Sequence, residues 1–114
     1  MSRPTKIDGK KIKELRGEFP ERISVKASRS KDGGFVAEIT TFPGCFTQGD
    51  TLSELIDMVN DCVRTYLEIP TKLSPFMPTY LPPVNIMYDL DLFPALKKEV
   101  KLEMHLPYYA GSRS

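Results

Sequence analysis

The chain has 114 residues, 40% of them hydrophobic, which suffices for one buried core and is too few for a second full domain. Sixteen basic and fifteen acidic side chains leave a formal net charge of +1, so overall charge singles out neither nucleic acid nor a membrane as partner. No apolar run approaches the roughly 18 residues of a membrane span and the N-terminus lacks the apolar stretch of a secretory signal, so the expected location is the cytoplasm.

The charge is unevenly spread. Residues 1–31 carry ten basic and four acidic groups, residues 32–70 carry one and seven, and residues 71–114 carry five and four. The first 22 residues form a basic N-terminal arm with two open readings: Asp8-Gly9 suits the turn of a small hairpin, while Ile12, Leu15 and Phe19 suit the apolar face of a short helix. The arm is expected to be solvated rather than to grip nucleic acid.

From Ile23 the pattern sharpens. Ile23, Val25 and Ala27 alternate with Ser24, Lys26 and Ser28, the period of a strand with one buried face. Ser30-Lys31-Asp32-Gly33-Gly34 supplies residues that tolerate positive φ, so a hairpin turn follows. The returning strand is predicted over Phe35–Thr41, with Phe35, Ala37 and Ile39 on one face. Pro43 fixes φ and Gly44 accepts positive φ, which ends that strand, and Cys45–Gln48 reads as a third antiparallel strand.

Thr51 followed three residues later by Glu54 forms a capping box, worth about 1 kcal/mol at the helix N-terminus. Leu52, Leu55, Ile56, Val59, Cys62, Val63, Tyr66 and Leu67 then recur at helical spacing and predict one buried face. Ser53, Glu54, Asp57, Asn60, Asp61, Arg64 and Glu68 are assigned to the opposite, wet and acidic face. Residues 70–94 hold six of the ten prolines among many apolar residues, so a strap over 70–97 is expected to lie extended against the core or a second subunit. Val100, Leu102, Met104 and Leu106 alternate with Lys101, Glu103 and His105, which predicts a last strand within 98–114, closed by Pro107. The fold class is therefore α+β: a small antiparallel sheet of three strands plus a late fourth, packed by one amphipathic helix.

The run Asp32-Gly33-Gly34-Phe35-Val36-Ala37-Glu38, then Phe42-Pro43-Gly44-Cys45, then Gln48-Gly49-Asp50-Thr51 with Glu54 resembles the HicB family of antitoxins. The resemblance covers about residues 23–69, and Leu55 stands where that family often has alanine. It implies a partial ribonuclease-H-like β-β-β-α-β unit that binds and silences a small HicA-type messenger-RNA-cleaving toxin. Family members often add a C-terminal helix-turn-helix or ribbon-helix-helix segment, but no pair of capped helices follows Leu67 here, so DNA binding is not expected.

Within this frame Gly33, Gly34, Pro43, Gly44, Gly49, Thr51 and Glu54 build turns and the helix cap. Phe42 lies opposite the apolar alternation of its strand and, if exposed, would be an aromatic anchor. Asp57, Asp61 and Arg64 on the polar helix face complete the candidate partner contacts, because an acidic segment would steer a basic ribonuclease. Cys45 and Cys62 have no metal-ligand or CxxC spacing, so a reduced thiol pair is expected, with no metal and no cofactor. Ribonuclease-H chemistry needs carboxylates converging on metal ions, and Ile23–Ser28 offers none; catalysis is not expected. Two alternatives stand beside the antitoxin reading. One is a residual metal-dependent nuclease using Glu38, Asp50 and Asp57. The other is a homo-oligomeric module of unknown ligand, since an unpaired sheet edge and an apolar strap favour a homodimer or higher oligomer.

Overall fold

The computed structural model describes residues 6–83 and 100–106, and the side chains from Asp8 onward. In chain order these form α1 (Lys6–Arg16), β1 (Arg22–Arg29), β2 (Phe35–Ile39), β3 (Cys45–Gly49), α2 (Leu52–Tyr66), a 3-10 turn (Thr71–Phe76) and β4 (Val100–His105). The four strands make one antiparallel sheet in the order β3-β2-β1-β4, so the α+β layout read from the sequence is the one observed. The distal part of the strap, residues 84–97, and the closing Pro107 lie outside the described residues.

Alternation fixes which face of the sheet is buried. Ile23, Val25 and Ala27 of β1, Phe35, Ala37 and Ile39 of β2, Cys45 of β3, and Leu102 and Met104 of β4 all point inward. Leu52, Leu55, Ile56, Val59 and Val63 of α2 meet them in one core. Each large side chain so buried contributes about 1.5–3 kcal/mol before ordering entropy is subtracted.

The strand ends are set by backbone chemistry. Gly33 and Gly34 have φ of 93° and 75°, and the turn closes with Ser30 N–H donating to Gly34 C=O at 3.0 Å. Pro43 and Gly44 fill the central positions of a second turn, closed by Cys45 N–H to Phe42 C=O at 3.1 Å with Gly44 at φ 89°. That is the residue pair and the φ that a type II turn requires. β2 ends at Ile39 rather than Thr41, yet its continuation stays tied to β1: Thr40 N–H donates to Ser24 C=O at 2.9 Å, and Ser24 N–H to Thr41 Oγ1 at 2.8 Å.

From Lys6 onward the N-terminal segment resolves in favour of the helix and packs on the core. Ile12, Leu15 and Phe19 are buried in the common core, and their pull on one helical face overrides the turn tendency of Asp8-Gly9. Two contacts join α1 to the strap: Arg16 Nε donates to Phe76 C=O at 2.7 Å, and Lys72 Nζ lies 3.3 Å from Asp8 Oδ2. As far as Pro83 the strap packs in cis, with Leu73, Met77 and Tyr80 buried. It is not wholly extended, because Thr71–Phe76 takes a 3-10 turn.

Asn60, assigned above to the wet face, is instead only 3% exposed. Its Nδ2 donates to Ile56 C=O at 2.9 Å and to Tyr80 C=O at 3.0 Å, and its Oδ1 accepts from Tyr80 N–H at 2.6 Å. The side chain thus pairs with a backbone segment as a neighbouring strand would, and this compensation permits its burial. The Tyr80 hydroxyl donates to Pro20 C=O, so one residue links the strap to both α2 and the chain leading into β1. Tyr66, placed on the buried face by spacing, is exposed at the last turn of α2.

Candidate functional site

The capping box forms as the spacing requires. Glu54 N–H donates to Thr51 Oγ1 at 3.0 Å, while Glu54 Oε1 accepts from Asp50 N–H at 2.5 Å, one residue earlier than the usual reciprocal partner. Gly49 makes the close approach possible: a Cβ there would stand 2.6 Å from Leu55 N and 2.9 Å from Leu55 Cα. A Cβ on Gly34 would stand 2.8 Å from Gly49 C=O. These two glycines let the β1–β2 turn, the end of β3 and the start of α2 converge.

The candidate partner residues separate into three places. Asp57 and Asp61 are exposed one turn apart on the outward face of α2, with Glu54 one turn before them. No ion pair among the described residues engages any of these three carboxylates. Arg64 is partly buried on the flank toward the strap, where its guanidinium donates to Pro78 C=O at 3.4 Å and to Thr79 Oγ1 at 3.2 Å. Its Nε is buried with no acceptor among the described residues. Phe42 is half-buried, its ring stacked on Tyr66 with centroids 4.6 Å apart. The exposed strand aromatic is Phe46, 66% accessible on the outer face of β3, opposite Glu38. Simple alternation from buried Cys45 would have found it.

The outer face of the sheet is otherwise polar. An open hollow of about 490 Å³ lies there, bordered by Lys26, Val36, Glu38, Phe46 and Gln48. Lys26 Nζ and Glu38 Oε1 are 3.8 Å apart within it. Glu38 therefore sits on the side of the sheet opposite α2, whereas Asp50 precedes the helix and Asp57 is on its exterior. The three carboxylates named for metal chemistry do not converge, and no group of three His, Cys, Asp or Glu suited to a metal occurs among the described residues. His105 is an exposed residue of β4.

Cys45 and Cys62 are free thiols that face each other between β3 and α2, with Cys45 Sγ 3.8 Å from Cys62 C=O. Burial, reinforced by the hydrogen bond and charge of the neighbouring Cys45 thiol and by Asp61, pushes the Cys62 thiol up to about 12. Held protonated, it is a poor nucleophile and a poor metal ligand. Among the described residues no helix is long and apolar enough to cross a membrane.

No family model matches the chain, and no solved structure matches it significantly. Curated relatives do. A UPF0150 protein of Archaeoglobus fulgidus is 31% identical over 48 residues, which is 42% of this chain and 70% of the relative. One of Thermoplasma acidophilum is 34% identical over 47 residues (41% and 68%), and one of Thermotoga maritima is 35% identical over 51 residues (45% and 71%). With more than two thirds of each relative matched at over 30% identity, the chain belongs to the UPF0150 protein family.

Proposed function

We propose that this chain is a HicB-like antitoxin, which neutralises a small HicA-type messenger-RNA-cleaving toxin by covering it rather than by any chemistry of its own. The observation that carries the reading is the row of exposed carboxylates on α2, Glu54, Asp57 and Asp61, none in an ion pair among the described residues, within a segment where seven acids face a single base. A ribonuclease must present cationic surface to the phosphate backbone of its substrate. An inhibitor that covers that surface needs the opposite charge, both to speed encounter and to exclude RNA. The spaced glycine, proline and cap residues that resemble the HicB family are those that hold β3 and α2 together, so the resemblance falls on the part of the fold that displays the acid.

The test is co-expression with the product of the reading frame beside its gene. Rescue of growth and co-purification of the two chains are expected. The double charge reversal Asp57→Lys with Asp61→Lys should slow association and flatten its dependence on salt. Unrelieved toxicity together with no complex would refute the proposal.

A further inference from the structure

The two edges of the sheet are not equivalent. Beside β4, Leu81 forms a bridge to His105, with N–H to C=O bonds of 2.9 Å in both directions. At the other edge, the outward side of β3 (Cys45–Gly49) has no strand partner among the described residues. An unpaired edge presents alternate N–H and C=O groups to whatever approaches.

The surroundings of this edge are specific. On the outer face stands Phe46. On the helix side the flank of α2 is fixed by Cys62, which meets Cys45 of β3, whereas Asn60 and Arg64 reach toward the strap on the other flank. Met58, one turn before Cys62, and Glu54, one turn before Met58, share the β3-side flank. Met58 is 38% exposed. The edge is thus bracketed by two exposed apolar side chains, Phe46 below and Met58 above, with Glu54 and Asp61 beside them.

We propose that the β3 edge is a strand-addition site for a basic protein that contributes an edge strand of its own, with Phe46 and Met58 packing on either side of the added strand. This rests on the antitoxin reading and names the surface through which the ribonuclease is held. Charge selects the occupant. A second copy pairing antiparallel at β3 would bring the acidic flanks of two α2 helices together, Glu54 and Asp61 of one toward the same acids of the other. Like charges so juxtaposed oppose self-pairing, while a cationic partner gains from the same groups. Main-chain bonds would supply affinity and the flanking side chains specificity.

The experiment uses the full chain and a purified HicA-type ribonuclease as probe, with titration calorimetry and amide hydrogen exchange. Phe46→Asp and Met58→Glu should each weaken binding roughly tenfold or more, as expected for central apolar anchors. Lys101→Glu, on the outer face of β4, should leave binding within about twofold, as for a charge outside the contact. In the complex of the unaltered chains, exchange at the Phe46 and Gln48 amides, whose N–H groups point away from β2, should slow, a readout independent of whether any variant folds. If the unaltered chain binds but the edge variants bind equally and β3 exchange is unchanged, the edge proposal is overturned and the antitoxin reading stands. If the unaltered chain does not bind the ribonuclease, both fall. A chain that is dimeric alone and becomes monomeric on Phe46→Asp would give the edge to a second copy and likewise overturn the proposal.

Discussion

Asn60→Ala separates the strap from α2 without touching the apolar core. The substitution removes the acceptor for Tyr80 N–H at 2.6 Å and the donors to Tyr80 C=O at 3.0 Å and Ile56 C=O at 2.9 Å. Ile56 C=O keeps its place in the helix ladder, so the cost falls on the two Tyr80 backbone groups. A buried polar group that loses its partner costs about 1–3 kcal/mol, and water entering the vacated space offsets part of it. The net loss is about 2–4 kcal/mol, a large share of the roughly 5–15 kcal/mol that holds a domain folded. Urea denaturation measures it, and trypsin cleavage after Lys72 reports whether the strap loosens first. Asn60→Asp refines the test. Only the neutral carboxyl can donate, through its single O–H, to one of the two carbonyls, and a carboxylate would face both as an acceptor, so folding raises the pKa of the introduced group. The folded variant then binds more protons than the unfolded one, and stability recovers as pH falls. A loss under about 0.5 kcal/mol for Asn60→Ala, the range of an ordinary surface change, would refute the clamp.

Gly49→Ala drives a Cβ to 2.6 Å from Leu55 N and should cost about 1–3 kcal/mol in chemical denaturation, as overpacking does, while Gly33→Ala, in open space at φ 93°, should cost only about 1 kcal/mol of backbone strain. Glu68 occupies the left-handed position after α2 at φ 58°, with Ile69 N–H bonded to Arg64 C=O at 2.9 Å; Glu68→Gly should raise stability by about 0.5–1 kcal/mol, read as a higher melting temperature. The Cys62 thiol, raised from 9.0 to about 12, retains its proton in the folded state where the unfolded chain loses it, so its contribution is complete below pH 9 and lost as pH climbs toward 12. Cys62→Ala should flatten that alkaline slope, and iodoacetamide at pH 8 should label Cys62 far more slowly in the folded chain than in urea.

The sheet and α2 were legible because one periodic signal decides each. Period two with a single buried face specifies β1, β2 and β4, and the Thr51–Glu54 pair announces α2 just where its apolar spacing begins. What was hidden depends on contacts between segments distant in sequence. Asn60 reads as polar and therefore wet until Tyr80, twenty residues later, supplies backbone partners. Phe42 has the parity of an exposed strand residue, but β2 has ended by then, and the Pro43-Gly44 turn carries its ring to Tyr66. Arg64 belongs to the polar helix face by spacing, yet its charge is occupied by Pro78 and Thr79 of a strap whose path no local pattern specifies.

The same long-range contacts explain why, among the described residues, the two edges of the sheet differ. Asn60 and Arg64 hold the strap against one flank of α2, and the strap carries Leu81 to the end of β4. Among the described residues the other flank has no comparable polar anchor: between Cys62 and the start of the helix it offers Met58 and Glu54. Among the described residues the sheet is therefore asymmetric by wiring: the β4 edge carries Leu81, and the β3 edge keeps its outward backbone groups beside Phe46 and Met58.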